Sequence, residues 1–446
     1  MTPTLTGAFF FVALVPCRCR KIVWSPLAVG LLVVSIPALG WSQQFNNSDR
    51  LFVEAMLRNV AADVRQHYYD PNLHGVDWDA RVQDAKKKVD AAHSLDSAMW
   101  AIATLLDSLQ DSQTLFLPPV RGESHDYGFQ MEIIGDRCYV IRVRSGSDAA
   151  KKGLKSGDEI LAVNENPLAR KSFAGIAYIL DVLSPQLELR LTLADEANRQ
   201  RHLDVLTDLQ PSKLIWDFMR DTDQRVRDAD DAQQLLRARY FEKGDDLVVV
   251  KFREFAFSDS AVDAIIRKMR AHNGVVLDLR GNSRGDMKTL YRLLGGMFEN
   301  DMKIFDRIGR SSTNPVSVSG RSHNAFMGKL VVLTDSRTAS VSEIFARVIQ
   351  LQKRGTVVGD RSSGRVMETR RYMHQDSKNV YSVIVSEADI AMSDGKKLED
   401  AGVEPDVMVL PTTSDLTHGR DPAMAKAAAL LGVQLSPEEA AALFPD

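Results

Sequence analysis

The sequence predicts an α/β protein of several domains: a helical N-terminal segment, a β-rich module, and an α/β core with a mainly parallel sheet. Three observations carry this prediction. At 446 residues the chain is too long for one hydrophobic core. Its apolar periodicity changes from helical to strand-like near Tyr127. From Leu247 onward, apolar strands alternate with amphipathic helices, the rhythm of parallel strands joined by crossover helices.

Residues 1–40 read as an export signal. Arg18, Arg20 and Lys21 precede an apolar run from Ile22 to Ile36, and the small Ala38 and Gly40 suit cleavage before Trp41. The run falls short of the roughly 20 residues that span a bilayer. The mature chain is therefore expected outside the cytoplasm, periplasmic or otherwise extracytoplasmic. It would touch a membrane only if this segment stayed on as an anchor. Residues 41–120 form the helical segment, with Leu51, Ala55, Leu57, Val60 and Val64 marking a buried stripe.

The β-rich module covers residues 121–206. Met131, Ile133, Val140, Ile141 and Val143 lie in β-type runs around a Gly135-Asp136 turn, followed by a helix from Phe173 to Val182 and a strand from Leu187 to Leu193. Residues 207–245 are polar and weakly patterned, and read as a linker with a helical part. The core follows at 246–412. Leu247 to Phe252 is a strand, and Ser258 or Asp259 caps a helix carrying Val262, Ile265, Ile266 and Met269. Val275 to Leu279 is a continuous apolar strand of the kind buried on both faces. A helix with Met287, Leu290 and Leu294, the strand Leu330 to Leu333 and a helix from Val341 come next. Residues 413–446 make a short helical tail.

Composition narrows the function. A net charge of −3 without a basic stripe argues against nucleic acid as a partner. Of three cysteines, only Cys138 lies beyond the N-terminal segment, so no disulfide framework is expected. No histidine pairs with a cysteine at zinc-site spacing and no glycine-rich phosphate loop occurs, so neither a metal nor another cofactor is expected.

In open α/β sheets chemistry sits at the carboxyl ends of strands, which singles out the turns after Leu279 and Leu333. The second turn runs Thr334-Asp-Ser-Arg-Thr-Ala-Ser340 and ends where a helix begins. Free N–H groups and the positive dipole end favour a developing anion there. Taken locally, Ser340-Val-Ser-Glu343 also fits a capping box, in which serine and glutamate satisfy backbone donors.

The β-rich module resembles a PDZ domain through Gly153-Leu154, Gly157-Asp-Glu-Ile160 and the helix that follows. The resemblance implies a groove between a strand and that helix, where an extended peptide adds as a strand and its terminal carboxylate meets backbone N–H groups. The matching turn is Tyr127-Gly128-Phe129-Gln130, with Phe129 lining the side-chain pocket. More widely, five segments occur in order: Leu109-Gln-Asp-Ser-Gln-Thr-Leu-Phe116, Asp278-Leu-Arg-Gly-Asn282, Thr338-Ala-Ser-Val-Ser-Glu-Ile-Phe345, Val358-Gly-Asp360 and Gly402-Val-Glu-Pro-Asp406. Together they resemble the C-terminal processing and tricorn-core serine peptidases. That resemblance implies Ser340 as nucleophile and an oxyanion hole from the N–H of Val341 plus that of Ser283 or Arg284. Polypeptides, or peptide C-termini, would be the partners. One branch of the family takes its base from a lysine where this chain has Arg365. The other uses a serine, a histidine and a late glutamate, matched here by Ser112, Gln113 and Glu399. Neither arginine nor glutamine can act as a base, so the expectation is an exported serine endopeptidase or a catalytically silent, peptide-binding descendant of one. His374, nearby in sequence, is a candidate replacement base.

Overall fold

A computed structural model describes residues 45–119, 121–195, 198–211, 238–376 and 379–444. The export segment and most of the stretch read as a linker lie outside the described residues.

Three helices come first among the described residues: α1 (Asn47–His67), α2 (Trp78–Asp90) and α3 (Leu95–Asp107). Asn46 and Ser94 cap α1 and α3 through short polar side chains, satisfying N–H groups that the helix itself leaves open. Their apolar faces share one core with Phe116, Tyr381, Val383 and Val385. The helical segment thus packs on a sheet that the sequence reading did not foresee. It is built from β1 (Leu115–Leu117), the hairpin β13 (Met302–Gly309) and β14 (Thr313–Val318), and the long hairpin β17 (Met367–Asp376) and β18 (Asn379–Met392).

The β-rich module forms its own sheet in the order β3-β4-β5-β7-β8. These strands are β3 (Phe129–Ile134), β4 (Arg137–Val143), β5 (Glu159–Val163), β7 (Glu188–Ala194) and β8 (Gln200–Leu206), with β6 (Asn166–Pro167) beside β5. Helix α4 (Asp148–Lys151) follows β4, and α5 (Arg170–Tyr178) leads into a wider turn at Ile179–Leu183. Cys138 is buried on β4, and burial pushes its thiol up to about 12. The stretch read as a linker contributes two strands. β9 (Asp208–Pro211) pairs with β2 (Glu123–Asp126), and β10 (Ala238–Lys243) is the antiparallel edge of the core sheet. Edge strands are half solvated, so they lack the apolar run that reveals a central strand.

The core sheet runs β10-β11-β12-β15-β16-β19, parallel from β11 (Leu247–Phe252) through β12 (Gly274–Asp278), β15 (Lys329–Thr334), β16 (Thr356–Gly359) and β19 (Val407–Met408). Successive side chains of a strand face opposite ways, and both faces here are buried. Val248, Val250, Val275 and Leu277 join one core with α6 (Asp259–Arg270), α7 (Met287–Gly295) and α8 (Val341–Leu351). Leu247, Val249, Val276 and Leu333 join another with Ala423, Met424 and Ala427 of the helix Pro422–Leu430 in the tail. The tail therefore closes the second face of the sheet. No described helix is long and apolar enough to cross a membrane.

Candidate active site

Two turns leave the carboxyl ends of neighbouring strands β12 and β15 and are stitched together. Thr338 Oγ1 donates to the Leu279 carbonyl at 3.0 Å, Gly281 N to Asp335 Oδ1 at 3.0 Å and Ala339 N to the Asn282 carbonyl at 2.9 Å. At the base of the first turn Asp278 is fully buried. Burial works against its charge, but Arg280 and Lys251 hold its carboxyl well below the usual range. Chelated by Arg280 at 2.8 and 2.9 Å, this carboxylate fixes the direction in which the turn departs.

Ser340 ends the second turn with φ 59° and ψ −126°. A non-glycine residue there carries strain of roughly 1–3 kcal/mol, tolerated only where surrounding contacts hold it. Those contacts are on Ser340 N, which donates to the Arg365 carbonyl at 3.0 Å and to Glu343 Oε2 at 3.1 Å. Only the glutamate half of the expected capping box therefore forms, because the Ser340 hydroxyl caps nothing. An N-cap residue normally has an extended φ that aims its side chain at the helix mouth; the positive φ turns this one away. Val341 N, next in the chain, has no acceptor among the described residues.

Glu343 is wholly buried and takes four donors: Ser340 N, Arg365 N at 3.0 Å, Gly364 N at 2.7 Å and Ser362 Oγ at 2.5 Å. It pins the 362–365 segment beneath the serine. Sequence reasoning saw this residue only as a cap; the Ser-x-x-Glu spacing was the available signal.

The five residues expected at the reaction centre come together. Gln113 Nε2 donates to the Arg365 carbonyl at 2.9 Å, the same oxygen that receives Ser340 N. Arg365 Nη2 donates back to the Ser112 carbonyl at 3.1 Å. Glu399 accepts Ser112 N at 3.0 Å and Val366 N at 2.8 Å. The Ser112 hydroxyl is buried near Glu399 in no hydrogen bond of normal geometry, and Arg365 Nε is likewise buried without a partner. Asp111 shapes this loop by accepting Gln113 N at 2.7 Å and Thr114 N at 2.9 Å. His374 does not join the cluster. It lies along the strand that begins at Met367, roughly 20 Å onward at the rise of an extended chain, and pairs with Asp63 at 2.6 Å.

Burial pushes both Glu343 and Glu399 up to about 7, against the donors that favour their charge. Their ordinary value is 4.5. The folded chain thus keeps protons that the unfolded chain has released. The stability they contribute is full below about pH 4.5 and is lost as pH rises through about 7. Denaturation midpoints should fall between pH 5 and pH 8, and Glu399→Gln should flatten that slope. A rising midpoint over this interval contradicts the assignment.

In the β-rich module Gly128 makes a turn that no larger residue can make. A Cβ there would lie 2.4 Å from Ser147 Cβ, at a φ of +75°. Gly128, Phe129 and Gln130, with Arg142 and Arg144, line a cleft of about 360 Å³. Tyr127 does not line it. Its hydroxyl accepts Gln186 N at 2.9 Å and donates to the Leu180 carbonyl at 3.4 Å, bracing the end of the helical stretch against β3. Among the described residues no cluster of histidine, cysteine, aspartate and glutamate is arranged to hold a metal.

Comparison with known proteins agrees with this architecture. Residues 246–409 match the model of peptidase family S41, and residues 119–172 match that of the PDZ domain. The carboxy-terminal processing protease CtpA of Bacillus subtilis (strain 168) is 20% identical over 331 residues, 71% of this chain and 65% of the relative. The putative tricorn protease homolog 2 of Streptomyces coelicolor is 23% identical over 420 residues, 88% of this chain and 32% of the relative. The chloroplastic carboxyl-terminal-processing peptidase 3 of Arabidopsis thaliana is 21% identical, over 76% of this chain and 65% of the relative. The chain thus spans less than two thirds of the length of these curated relatives. Among solved structures, mature CPAF complexed with lactacystin superposes with a TM-score of 0.62 at 13% identity, covering 86% of this chain and 97% of that one. The photosystem II D1 C-terminal processing protease gives 0.52 at 19% identity, covering 87% and 99%. At these identities the structural likeness is one of fold. The homologues are serine peptidases, which are hydrolases, of the C-terminal processing and tricorn kind.

Proposed function

We propose that this chain, which carries a peptidase family S41 core behind a PDZ domain, is an exported serine-type endopeptidase cutting polypeptides near their C-termini. Export rests on the pattern of residues 1–40. The observation that carries the catalytic reading is Ser340 itself: a strained serine at a helix start, its hydroxyl free of capping and the N–H of Val341 without an acceptor among the described residues. That arrangement suits attack on a carbonyl whose oxygen is received by backbone donors.

For the second oxyanion donor we favour Arg284 over Ser283. The described peptide bonds are trans, and a planar trans peptide points its N–H opposite to its C=O. Because the Asn282 carbonyl faces Ala339 N, the N–H of Ser283 faces away from the serine turn. Glu399 and Ser340 N bind opposite ends of one peptide, Val366 N and the Arg365 carbonyl. Glu399 therefore orients the loop from a full peptide away, and with Ser112 it is a positioning residue. Without a histidine or lysine beside Ser340, turnover is expected to be lower by a factor on the order of 10²–10⁴ than with a positioned base.

A specific observation favours the second reading, a catalytically silent peptide-binding protein. Gln113 and Arg365 hydrogen-bond each other's main-chain segments, so both positions that could hold a base serve as a structural clasp. Treating the full chain with a fluorophosphonate separates the two readings. An adduct on Ser340, absent after unfolding and in Ser340→Ala, supports the peptidase. No adduct, beside a labelled relative that has its lysine or histidine, supports the silent protein.

A further inference from the structure

Glu132 of β3 is a buried carboxyl that takes no part in the cluster around Ser340. It faces the turn that ends at that serine. Glu132 Oε2 meets Arg337 Nε at 3.0 Å, and Asp335 Oδ2 meets the same nitrogen at 3.6 Å. The two carboxyls also lie within hydrogen-bond reach of each other. Beside them the Ser336 hydroxyl donates to the Ile133 carbonyl at 2.5 Å. Asp335 ties two turns together. Its Oδ1 accepts Gly281 N at 3.0 Å from the neighbouring turn, and Arg337 N and Thr338 N at 3.1 and 2.8 Å from its own. With Oδ1 engaged in this way, Oδ2 is the oxygen that faces Glu132.

The charges around this pair do not favour two carboxylates. Arg337 neutralises one. Arg280, on the neighbouring turn, is held by Asp278 at 2.8 and 2.9 Å and by Asp421 at 3.0 Å. On β4, Tyr139 stands opposite Glu132, and Cys138 carries a thiol whose proton is held by burial. Like charges this close in a buried site resist ionising together, and backbone donors favour the charge on Asp335. Burial and the charge of Asp335 accordingly push the Glu132 carboxyl up to about 8, against the pull of Arg337. We propose that Glu132 is a positioning residue for the serine turn: its carboxyl supplies the one proton shared with Asp335, and so holds Asp335 where it ties that turn to the turn of Arg284. That the tie serves catalysis rests on the peptidase reading above; the shared proton does not.

One titration and two variants of the full chain test this. With glutamate isotopically labelled at its carboxyl carbon, one resonance should titrate near pH 8 and be missing from Glu132→Gln. Glu132→Gln keeps a donor toward Asp335 but has no proton to lose, whereas Glu132→Ala has no donor. Amide hydrogen exchange over residues 279–284 and 335–341, corrected for its intrinsic pH dependence, reads the tie between the turns. Protection should fall about ten- to a hundredfold in Glu132→Ala, the loss of one hydrogen bond to a charged group, and Glu132→Gln should restore it. In the native chain protection should also fall as pH rises through about 8, and in Glu132→Gln it should not. A purely structural side chain would not carry this pH dependence. A Glu132 resonance in the ordinary carboxylate range, or protection indifferent to pH and to both variants, overturns the proposal. If Glu132→Ala does not fold, the native titration and Glu132→Gln decide it. The rate of fluorophosphonate labelling at Ser340 should follow the same pH limb and the same rescue. Labelling that is unchanged in Glu132→Ala overturns the positioning role and leaves the peptidase standing. The expected titration and exchange with no labelling at any pH uphold the positioning role and overturn the peptidase reading.

Discussion

Gln113→His should raise the rate of peptide or ester hydrolysis by a factor on the order of 10²–10⁴, the range a positioned general base contributes. The surroundings for such a base already exist. The Gln113 side chain reaches the Arg365 carbonyl, which also receives Ser340 N, so position 113 lies against the serine. Ser112 and Glu399 hold the loop behind it through a 3.0 Å bond from Ser112 N. An imidazole here would stand beside the peptide that holds Ser340 N, and a neutral imidazole titrates in the right range for a base. The measurement is kcat/KM against pH for the native chain, Gln113→His and the double variant with Ser340→Ala. The expected profile acquires an inflection near the histidine range and disappears in the double variant. Equal rates in all three would mean that the serine turn is no longer competent, and the silent reading would stand.

Gly285→Ala should lower that gained activity by about 10²–10³-fold, the usual cost of one oxyanion donor. A Cβ at this glycine would lie 2.3 Å from Phe255 Cβ and 2.6 Å from the Phe255 carbonyl oxygen. Neither neighbour can retreat easily. Phe255 is fully buried and packs edge-on against Phe252, with ring centroids 5.1 Å apart. Its N–H and carbonyl are bonded to the Arg284 carbonyl and Asp286 N at 3.0 and 2.8 Å. The turn must therefore move, and with it the Arg284 N–H proposed above as the second oxyanion donor. Overpacking of this kind also costs about 1–3 kcal/mol of stability, read from thermal unfolding. Activity in the Gln113→His background is the functional readout, and an unchanged kcat with an intact fold would remove the 283–285 turn from the mechanism.

Much of this molecule is legible in its sequence. Val275 to Leu279 read as a doubly buried strand because a central parallel strand has no polar face to show, and all five residues of β12 are buried. The carboxyl-end rule then selected the two turns that the fold brings together. β10 escaped notice because an edge strand mixes Arg239 and Glu242 with Tyr240 and Phe241. The sheet under the helical segment escaped for another reason: β1 pairs with a strand whose partners begin at Ser382, far beyond any sequence window. The Ser340 capping box was half wrong, since spacing shows which side chains can reach the backbone and not the φ at which the serine is held.

What the sequence by itself determined is the buried parallel strands and amphipathic helices of the core, and the chemical types at the centre: a serine at a helix start, with glutamine and arginine where bases are expected. Those follow from local periodicity and residue chemistry, which act within a few residues. Only the tertiary structure decided that Gln113 and Arg365 clasp each other beside Ser340, that Glu343 lies beneath it with four donors, and that strand β3 ends against the same turn. Each of these depends on groups tens to hundreds of residues apart, or on a backbone angle fixed by them, and such contacts exist only once the cores have packed.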